Sequence, residues 1–529
     1  MKTSPSISVI ATFSLLLTVF LEGCGGGGSG SSGDDSSRSN GRGDVKSGEQ
    51  VFRFETFGNE RFWTDAVRLP QGIIEKNFTP LDALDNGISV DADALDQATA
   101  DTISAELKTD LSPQNAPLLN DVNTTVKLLN ANAIIGAVAK DSNGDGTIDI
   151  KNGDKIGFSC AGCHTVTDGS VFSKPGGGSI GHRLDGLAAH NFNFGKTIAL
   201  GQNSKAFFPV LQLSLKANGG KTLGRAPQGL SARSSEADVD AYLSNPNYYP
   251  VGMFDDTFDG NGDPMHNMPL FRQDLSAPYG SDATIAKLDN FGNLVYTGLL
   301  DPTTVTTPGG RAFLHKLGGA AGDEIADEYV KVLAETGVTG YPFVEATAHS
   351  NPGSEEAPLG IRVDNQKLLD MNAYLQDLEA PVGQPINEID TQNGRTIFEA
   401  SCTSCHNSSQ GEAVPSNIIP MKQIFPGDNP QTLAVREPPL NPVLNSPGTF
   451  DDKMAVVNAS LRGLERGVAL PLLLDLGRKP VFLHDNSVPS LEALFDPVRG
   501  ANAPHPFFIS DEAERIALVQ FLKSLDTNQ

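Results

Sequence analysis

The stretch 157-GFSCAGCHTVTDG-169 places two cysteines three residues apart and a histidine directly after them. The same pattern returns at 398-FEASCTSCHNSS-409. Cys-x-x-Cys-His is the attachment signature of c-type haem, in which both thiols form thioethers with the porphyrin and the adjacent histidine reaches the iron. The sequence therefore predicts two covalently bound haems, held by Cys160, Cys163, His164, Cys402, Cys405 and His406.

Other uses of these cysteines explain less of the pattern. The chain has five cysteines, and all except Cys24 lie in the two motifs. A zinc site needs four ligands, or both motifs pooled, and gives no reason for a histidine directly after each pair. A thioredoxin-like redox pair requires a βαβ context, which the sequence lacks.

The N-terminus predicts export. An apolar run from Ile7 to Leu21 follows Lys2 and is too short for a convincing membrane span. It ends in 21-LEGC-24, so residues 1–24 resemble a lipoprotein signal with Cys24 as the lipidated residue. The alternative is ordinary secretion, with Cys24 lost alongside the signal. Residues 25–45 form a flexible Gly/Ser linker. We expect the protein in the periplasm or at the cell surface, anchored by lipid to a bacterial membrane, with the outer membrane favoured.

Composition restricts the partners. The 529 residues carry a net charge of −25, from 39 Lys and Arg against 64 Asp and Glu. Such a surface repels nucleic acid and anionic membrane, so only the lipid anchor is expected to contact a bilayer. The expected partners are a small redox donor protein or a quinol-linked chain, with peroxide or dioxygen as small substrates. The family resemblance described below adds a homodimer to these expected partners.

The predicted fold is mainly α-helical with long loops, since 55 Gly and 34 Pro favour loops. We expect two cytochrome c-like haem domains. Residues 46–383 combine an N-terminal extension with the first haem domain, which has an insertion at about 200–350, and residues 386–529 form the second. One helix is expected in the insertion, around 322–335, and one in the extension, at 93–106.

Helices are also expected on both sides of each motif. Apolar stripes at 366–381 and 510–526 predict closing helices, the second with Ser510 as its N-cap. Short helices at 394–400 and, less clearly, at 153–158 are expected to lead into the motifs.

Two segments carry a family resemblance. Residues 160-CAGCHTVTDGSVFSKPGGGSIGHRLDG-186 resemble the first haem segment of bacterial di-haem cytochrome c peroxidases of the MauG superfamily. The resemblance implies that His182, in a SIGH-type turn, is the distal catalytic residue at the first haem. Residues 460–495 resemble the segment beside the second haem, with His484 in the position of the family's histidine.

The sequence departs from that family in two ways. The peroxidases have a tryptophan between the haems, but the single tryptophan here, Trp63, precedes the first motif. They ligate the second haem with a downstream methionine, but no methionine follows Met454. This pattern is closer to the rubber oxygenase branch, in which a histidine ligates the second haem and the first haem binds dioxygen. By that resemblance His484 is the sixth ligand of the second haem.

Other residues compete for these positions. His190 is the local rival of His182. The alternatives to His484 are His505, Met421 and Met454. Three methionines of the insertion are more typical of packing but could instead cap the first haem, which would make the protein a plain electron carrier; they are Met253, Met265 and Met268.

A calcium loop is predicted just before the first motif. The stretch 141-DSNGDGTIDIKNGD-154 follows the opening of an EF-hand loop, with oxygen ligands at alternate positions and Gly146 at the sharp turn. The expected ligands are Asp141, Asn143, Asp145, Thr147 and Asp149. Position 12 is Asn152 rather than glutamate, so a solvated acidic turn is the alternative. The similar stretch 259-DGNGD-263 is a weaker candidate because Pro264 follows it.

These patterns predict a di-haem c-type oxidoreductase. The second haem is expected to relay electrons, and the first to bind and reduce peroxide or to activate dioxygen. His182 suits proton delivery to a bound peroxide. The alternative is a non-catalytic di-haem electron-transfer lipoprotein with both irons saturated.

Overall fold

A computed structural model describes residues 43–222, 224–280, 283–384, 387–414, 418–420, 467–483, 486, 488–499, 505 and 508–527. The signal segment, Cys24, the linker up to residue 42, His484, Met421 and Met454 lie outside these residues. Residues Gly41–Gln529 group into one compact unit. No helix in the described part is long and apolar enough to cross a membrane.

The chain is mainly helical, as expected, at 42% helix and 9% strand. The α-helices are Val45–Phe54, Asn59–Arg61, Leu69–Glu75, Pro80–Asp85, Gln97–Glu106, Val122–Asn130, Ala161–His164, Phe194–Ile198, Glu236–Ser244, Leu288–Leu294, Pro308–Gly318, Ala320–Glu335, Asn365–Asp377, Glu388–Ser401, Leu491–Leu494 and Glu512–Ser524. Short 3₁₀ or π segments are Phe62–Ala66, Ala92–Ala94, Ser204–Val210, Lys216–Asn218, Gln273–Leu275, Val295–Leu299, Pro302–Thr306 and Pro497–Arg499.

The strands are short and make small, separate sheets. They are Val90–Asp91, Ala137–Lys140, Lys155–Phe158, Thr165–Thr167, Phe172–Ser173, Ser179–Gly181, Arg183–Asp185, Met253–Phe254, Met265–His266, Ala348–His349, Ile361–Arg362, Ile418–Pro420 and Gly467–Ala469. Among the described residues these strands form six sheets of two or three strands, and five of the sheets are antiparallel pairs.

The first helix of the described chain crosses a helix far along the sequence. Val45–Phe54 packs on Asn365–Asp377. At the crossing, a Cβ on Gly48 would fall well inside 3.0 Å of the Asp370 carbonyl oxygen. Phe52, fully buried, lies 5.6 Å from the Tyr374 ring between ring centres. Glycine at this position therefore lets the two backbones touch.

A second helix pair repeats this crossing. Glu388–Ser401 packs on Glu512–Ser524. A Cβ on Gly394 would overlap the Ala517 carbonyl oxygen, as a Cβ on Gly48 would overlap the Asp370 carbonyl oxygen. The Phe398 and Phe521 rings lie 5.3 Å apart. Each pair thus has glycine and phenylalanine four residues apart on one helix, and a carbonyl and an aromatic ring four residues apart on the other.

The closing helices were predicted well, with one error of capping. The helix expected at 366–381 is Asn365–Asp377, and the one at 510–526 is Glu512–Ser524. Ser510 is not its N-cap: the Asp511 carboxylate accepts a hydrogen bond from the Glu514 N–H at 3.0 Å. The N-cap is therefore Asp511, one residue after the predicted serine.

The short helix expected at 153–158 is wrong. Lys155–Phe158 is a strand paired antiparallel with Ala137–Lys140. The Asn59 carboxamide bonds both the N–H and the carbonyl of Phe158, each at 2.8 Å, so a distant side chain supplies the partners that an extended backbone needs.

The other helical predictions need new limits. The helix leading into the second motif begins at Glu388 rather than 394. The helix expected at 93–106 begins at Gln97, where Asp96 caps it. The insertion carries three α-helices besides Ala320–Glu335, so the expectation of one helix was too low; they are Glu236–Ser244, Leu288–Leu294 and Pro308–Gly318.

Candidate functional site

The first motif lies on a one-turn helix between two strands. Lys155–Phe158 leads into Ala161–His164, and the chain leaves along Thr165–Thr167. The turn packs directly on Gly136, whose φ is +82° and whose Cβ, if present, would overlap Gly162. Glycine is therefore required at position 136, where the backbone before the strand Ala137–Lys140 meets the motif.

The His164 imidazole is held in one orientation. Its Nδ1 lies 2.8 Å from the carbonyl oxygen of Met268, an acceptor, so Nδ1 carries the proton and Nε2 presents a lone pair. Burial lowers the pKa of His164 to about 4, which keeps the ring neutral at pH 7. A neutral imidazole with one nitrogen engaged by a backbone carbonyl is the form that binds a metal.

The two thiols of the first motif lie in apolar surroundings. Cys160 Sγ is 3.2 Å from the Tyr296 hydroxyl and 3.7 Å from Met371 Sδ. Burial raises the pKa of Cys160 to about 11 and that of Cys163 to about 12. Protonated thiols are poor nucleophiles, which disfavours a catalytic cysteine here.

A buried carboxylate ties the motif to the first helix pair. Asp185 accepts hydrogen bonds from Arg53 Nε and the Tyr374 hydroxyl, both at 2.6 Å, and from the Thr165 hydroxyl at 2.8 Å. Arg53 and Tyr374 lie on the two crossing helices, and Thr165 directly follows His164. The Asp185 side chain is 2% exposed, so these charge-assisted bonds lie in low dielectric.

The second motif directly follows its helix. The N–H groups of Cys405 and His406 donate to the Cys402 carbonyl at 3.1 and 2.9 Å. Burial raises the pKa of Cys402 to about 11 and lowers that of His406. The His505 ring lies 6.4 Å from the His406 ring between centres. All four motif cysteines are free thiols, so neither pair forms a disulfide.

The predicted distal histidine of the first haem lies at the surface. The His182 side chain is 62% exposed, and its Nδ1 is 2.9 Å from an Asp93 carboxylate oxygen. The Ala189 N–H donates to the Cys163 carbonyl at 2.9 Å, so the next residue, His190, lies near the first motif. Burial lowers the pKa of His190 to about 4. The structure therefore brings His190 rather than His182 close to the first motif, and the distal role of His182 stays a prediction.

One cluster joins the insertion to the segment that precedes His484. His266 Nδ1 contacts the Leu483 carbonyl, and Lys479 Nζ lies 3.4 Å from His266 Nε2. The His190 and His266 rings are 6.4 Å apart. Burial lowers the pKa of Lys479 to about 8. Since Met268 is two residues after His266, the turn before His484 lies near the loop that orients His164.

The predicted calcium loop is an exposed turn. Both Asp141 carboxylate oxygens accept backbone N–H groups, from Gly144 at 2.7 Å and Gly146 at 2.9 Å. The Asp145 carboxylate accepts the Thr147 N–H at 2.9 Å. Within the described ranges, no three His, Cys, Asp or Glu side chains close on a point as metal ligands do. Calcium at Asp141, Asn143, Asp145, Thr147 and Asp149 stays a prediction.

The sequence reasoning missed the helix crossings although it had a signal for them. Gly48 and Gly394 both begin the pattern Gly-x-x-(Val or Ile)-Phe, which ends at Phe52 and Phe398. The second copy lies four residues before Cys402, but the first lies more than 100 residues before Cys160, so the match to the motif spacing was hidden. In space the first helix is nevertheless close to the first motif: the Ser159 hydroxyl, directly before Cys160, donates to the Arg53 carbonyl at 2.7 Å.

Comparison with known proteins adds little. No family model matches the chain, and no curated protein matches it. Among solved structures, the chain is similar to hydrazine synthase from Kuenenia stuttgartiensis, at 14% identity and a TM-score of 0.24 over 58% of this chain and 86% of that one. A likeness of this size establishes neither fold nor function, so the assignment depends on the residues of the chain itself.

Proposed function

We propose that the protein is an exported di-haem c-type cytochrome with oxidoreductase activity. One haem is held by Cys160, Cys163 and His164, and the other by Cys402, Cys405 and His406. The observation that carries the proposal is the hydrogen bond from His164 Nδ1 to the Met268 carbonyl, at 2.8 Å. It directs Nε2 away from the backbone on the same helical turn that presents both thiols.

The residues fit covalently bound haem at both places. In each motif the thiols are free and on the same turn as the histidine. The histidine pKa is lowered by burial in each case, so both imidazoles are neutral ligands. The repeated helix crossing at Gly48 and Gly394 supports two modules of the same design. Haem supplies an iron that changes oxidation state and, with an open sixth position, binds peroxide or dioxygen.

The two sites differ in ways that favour different roles. Residues of the insertion surround the first motif: Met268 orients His164, and Tyr296 contacts Cys160. We assign peroxide reduction or dioxygen activation to this site, with His182 or His190 as the histidine that moves a proton. At the second motif His505 faces His406, in addition to the expected His484. The His505 ring lies 6.4 Å from the His406 ring between centres, so His505 is the alternative to His484 as the second histidine that would hold this haem. A haem held by two histidines would relay electrons rather than bind peroxide.

The proposal includes the cellular setting. We infer from the lipoprotein-type signal and the linker that the protein lies in the periplasm or at the cell surface, anchored by lipid to a bacterial membrane, with the outer membrane favoured. Electrons would come from a small redox protein or a quinol-linked chain. The contact of Lys479 and Leu483 with His266 supports a short path between the two sites.

Low-temperature EPR of the full-length protein, oxidised and then half-reduced, tests the division of roles. One haem that is high-spin, or becomes so on half-reduction, supports catalysis at the first motif. If both stay low-spin and peroxide changes neither spectrum, the protein is the di-haem electron-transfer lipoprotein instead.

The sixth ligand of the second haem needs a paired substitution. His484→Gln and His505→Gln are compared with wild type in the same experiment. The variant that converts the low-spin signal of the second haem to high-spin identifies the ligand. If both variants keep the low-spin signal, neither histidine ligates the iron and a methionine remains.

A further inference from the structure

The Lys479 side chain is a partly buried cation without an anionic partner. Its Nζ lies 3.4 Å from His266 Nε2 and 5.5 Å from the centre of the Phe482 ring. An aromatic face offsets only part of the cost of removing an ammonium from water. No carboxylate pairs with Lys479 in the part of the chain that the structure describes, and burial lowers the pKa of Lys479 to about 8. The ammonium therefore lacks a counter-charge.

The contact with His266 does not supply that counter-charge. His266 Nδ1 lies against the carbonyl oxygen of Leu483, which can only accept a hydrogen bond, so Nδ1 carries the proton. Nε2 then accepts from Lys479 Nζ. A neutral imidazole can accept a hydrogen bond from an ammonium, but it does not cancel the positive charge.

A second polar atom of this cluster also lacks a partner. The rings of His190 and His266 lie 6.4 Å apart between centres. His190 Nδ1 is buried and has no hydrogen-bond partner among the described residues. Buried polar atoms in folded proteins are nearly always hydrogen-bonded. An oxygen-bearing anion beside this cluster would give Lys479 a counter-charge and His190 an acceptor.

The cluster lies against the first motif from two directions. The residue before His190 donates its N–H to the Cys163 carbonyl at 2.9 Å. His266 lies two residues before the carbonyl that holds His164 Nδ1 at 2.8 Å. Lys479 comes from the chain after the second motif, so a cation of the second module reaches the surroundings of the first motif.

We propose that Lys479 pairs with a propionate carboxylate of the haem at the first motif, an inference that rests on the proposed function. Haem propionates are carboxylates and therefore provide the class of anion that the cluster lacks. The second module would then supply the counter-charge of the first site. A ferric haem has one more positive charge than a ferrous haem, so a nearby ammonium disfavours the ferric form and raises the reduction potential.

Spectroelectrochemical titration of the full-length holoprotein tests the pair. Wild type is compared with Lys479→Met, which removes the charge, and Lys479→Arg, which keeps it. The matched control is Lys523→Gln, which changes the net charge equally but breaks a surface pair with Glu492 at 2.9 Å. The signal that is absent from a Cys160→Ala/Cys163→Ala double variant identifies the first haem.

We expect Lys479→Met to raise the ratio of ferric to ferrous first haem about tenfold at a fixed solution potential, which is a fall of about 59 mV. Lys479→Arg and Lys523→Gln should each change that ratio by less than about threefold. The inference is overturned if Lys479→Met leaves the first haem unchanged, if Lys523→Gln has the same effect, or if the second haem shifts instead.

A crystal structure of the wild-type holoprotein gives a readout that needs no variant. We expect Lys479 Nζ within about 4 Å of a propionate oxygen of the first haem. A Lys479 that pairs with the second haem, or with neither haem, overturns the inference and leaves the proposed function intact. Failure of the proposed function looks different, because a pyridine haemochrome assay would then find no covalently bound haem.

Discussion

Gly48→Ala tests the helix crossing, because the sign of the change in the free energy of unfolding distinguishes close packing from helix propensity. In an isolated helix the change stabilises by about 1 kcal/mol, because alanine is the better helix former. Here the new methyl group would overlap the Asp370 carbonyl oxygen, and the two helices must separate by roughly 1 Å to clear it. Overpacking of this kind costs about 1–3 kcal/mol.

The separation also loosens Phe52, which is fully buried at the crossing. A gap of 0.5–1 Å forfeits about a quarter to a half of the dispersion energy, or roughly 1 kcal/mol for a phenylalanine. The three contributions leave a net loss of about 1–3 kcal/mol. Gly394→Ala should cost a similar amount, since it meets the Ala517 carbonyl in the same way.

Urea denaturation followed by circular dichroism measures the loss. Gln50→Ala, on the exposed face of the same helix, is the control and should stay within about 0.5 kcal/mol of wild type. If Gly48→Ala equals or exceeds wild type in stability, the close crossing is wrong and helix propensity alone governs the position.

Two further predictions follow from single carboxylates. Asp185→Asn should destabilise the protein by about 2–4 kcal/mol in urea, because it leaves Arg53 with a weaker buried partner; a change below 0.5 kcal/mol would contradict the buried network. The hydrogen bond and charge of Asp93 raise the pKa of His182. The pair therefore stabilises below the unfolded pKa of about 6.5, and this is lost as pH rises through the folded value. In Asp93→Asn, NMR titration should return the His182 pKa towards 6.5; no change would mean that the pair does not form in solution.

The candidate haem motifs could be found from short sequence patterns. Cys160, Cys163 and His164 lie within one short stretch of sequence, so a single helical turn brings them together without help from the rest of the fold. The closing helix at Asn365–Asp377 was found from its apolar stripe, since helix periodicity is a local property.

Contacts between residues far apart in the chain could not be predicted from the sequence. Nothing near His164 in sequence indicates that the Met268 carbonyl, 104 residues away, would orient it. The strand at Lys155–Phe158 was mistaken for a helix because its partner residues, Asn59 and Ala137–Lys140, lie elsewhere in the chain. The burial of Asp259, Asn261 and Asp263 likewise could not be predicted from their sequence pattern, because the Tyr242 hydroxyl that lies against Gly262 comes from an earlier helix.

The first helix pair has a consequence for how the protein matures. Its members, Val45–Phe54 and Asn365–Asp377, are about 310 residues apart, whereas those of the second pair are about 110 apart. Loops of that length close slowly, and if the chain is exported from its N-terminus, as proposed, the first helix emerges long before its partner. Under the proposed function, the motif at Cys160 would then be accessible for haem attachment while its module is still open. A chain that ended before Asn365 would keep that motif but lack the helix that completes the module around it.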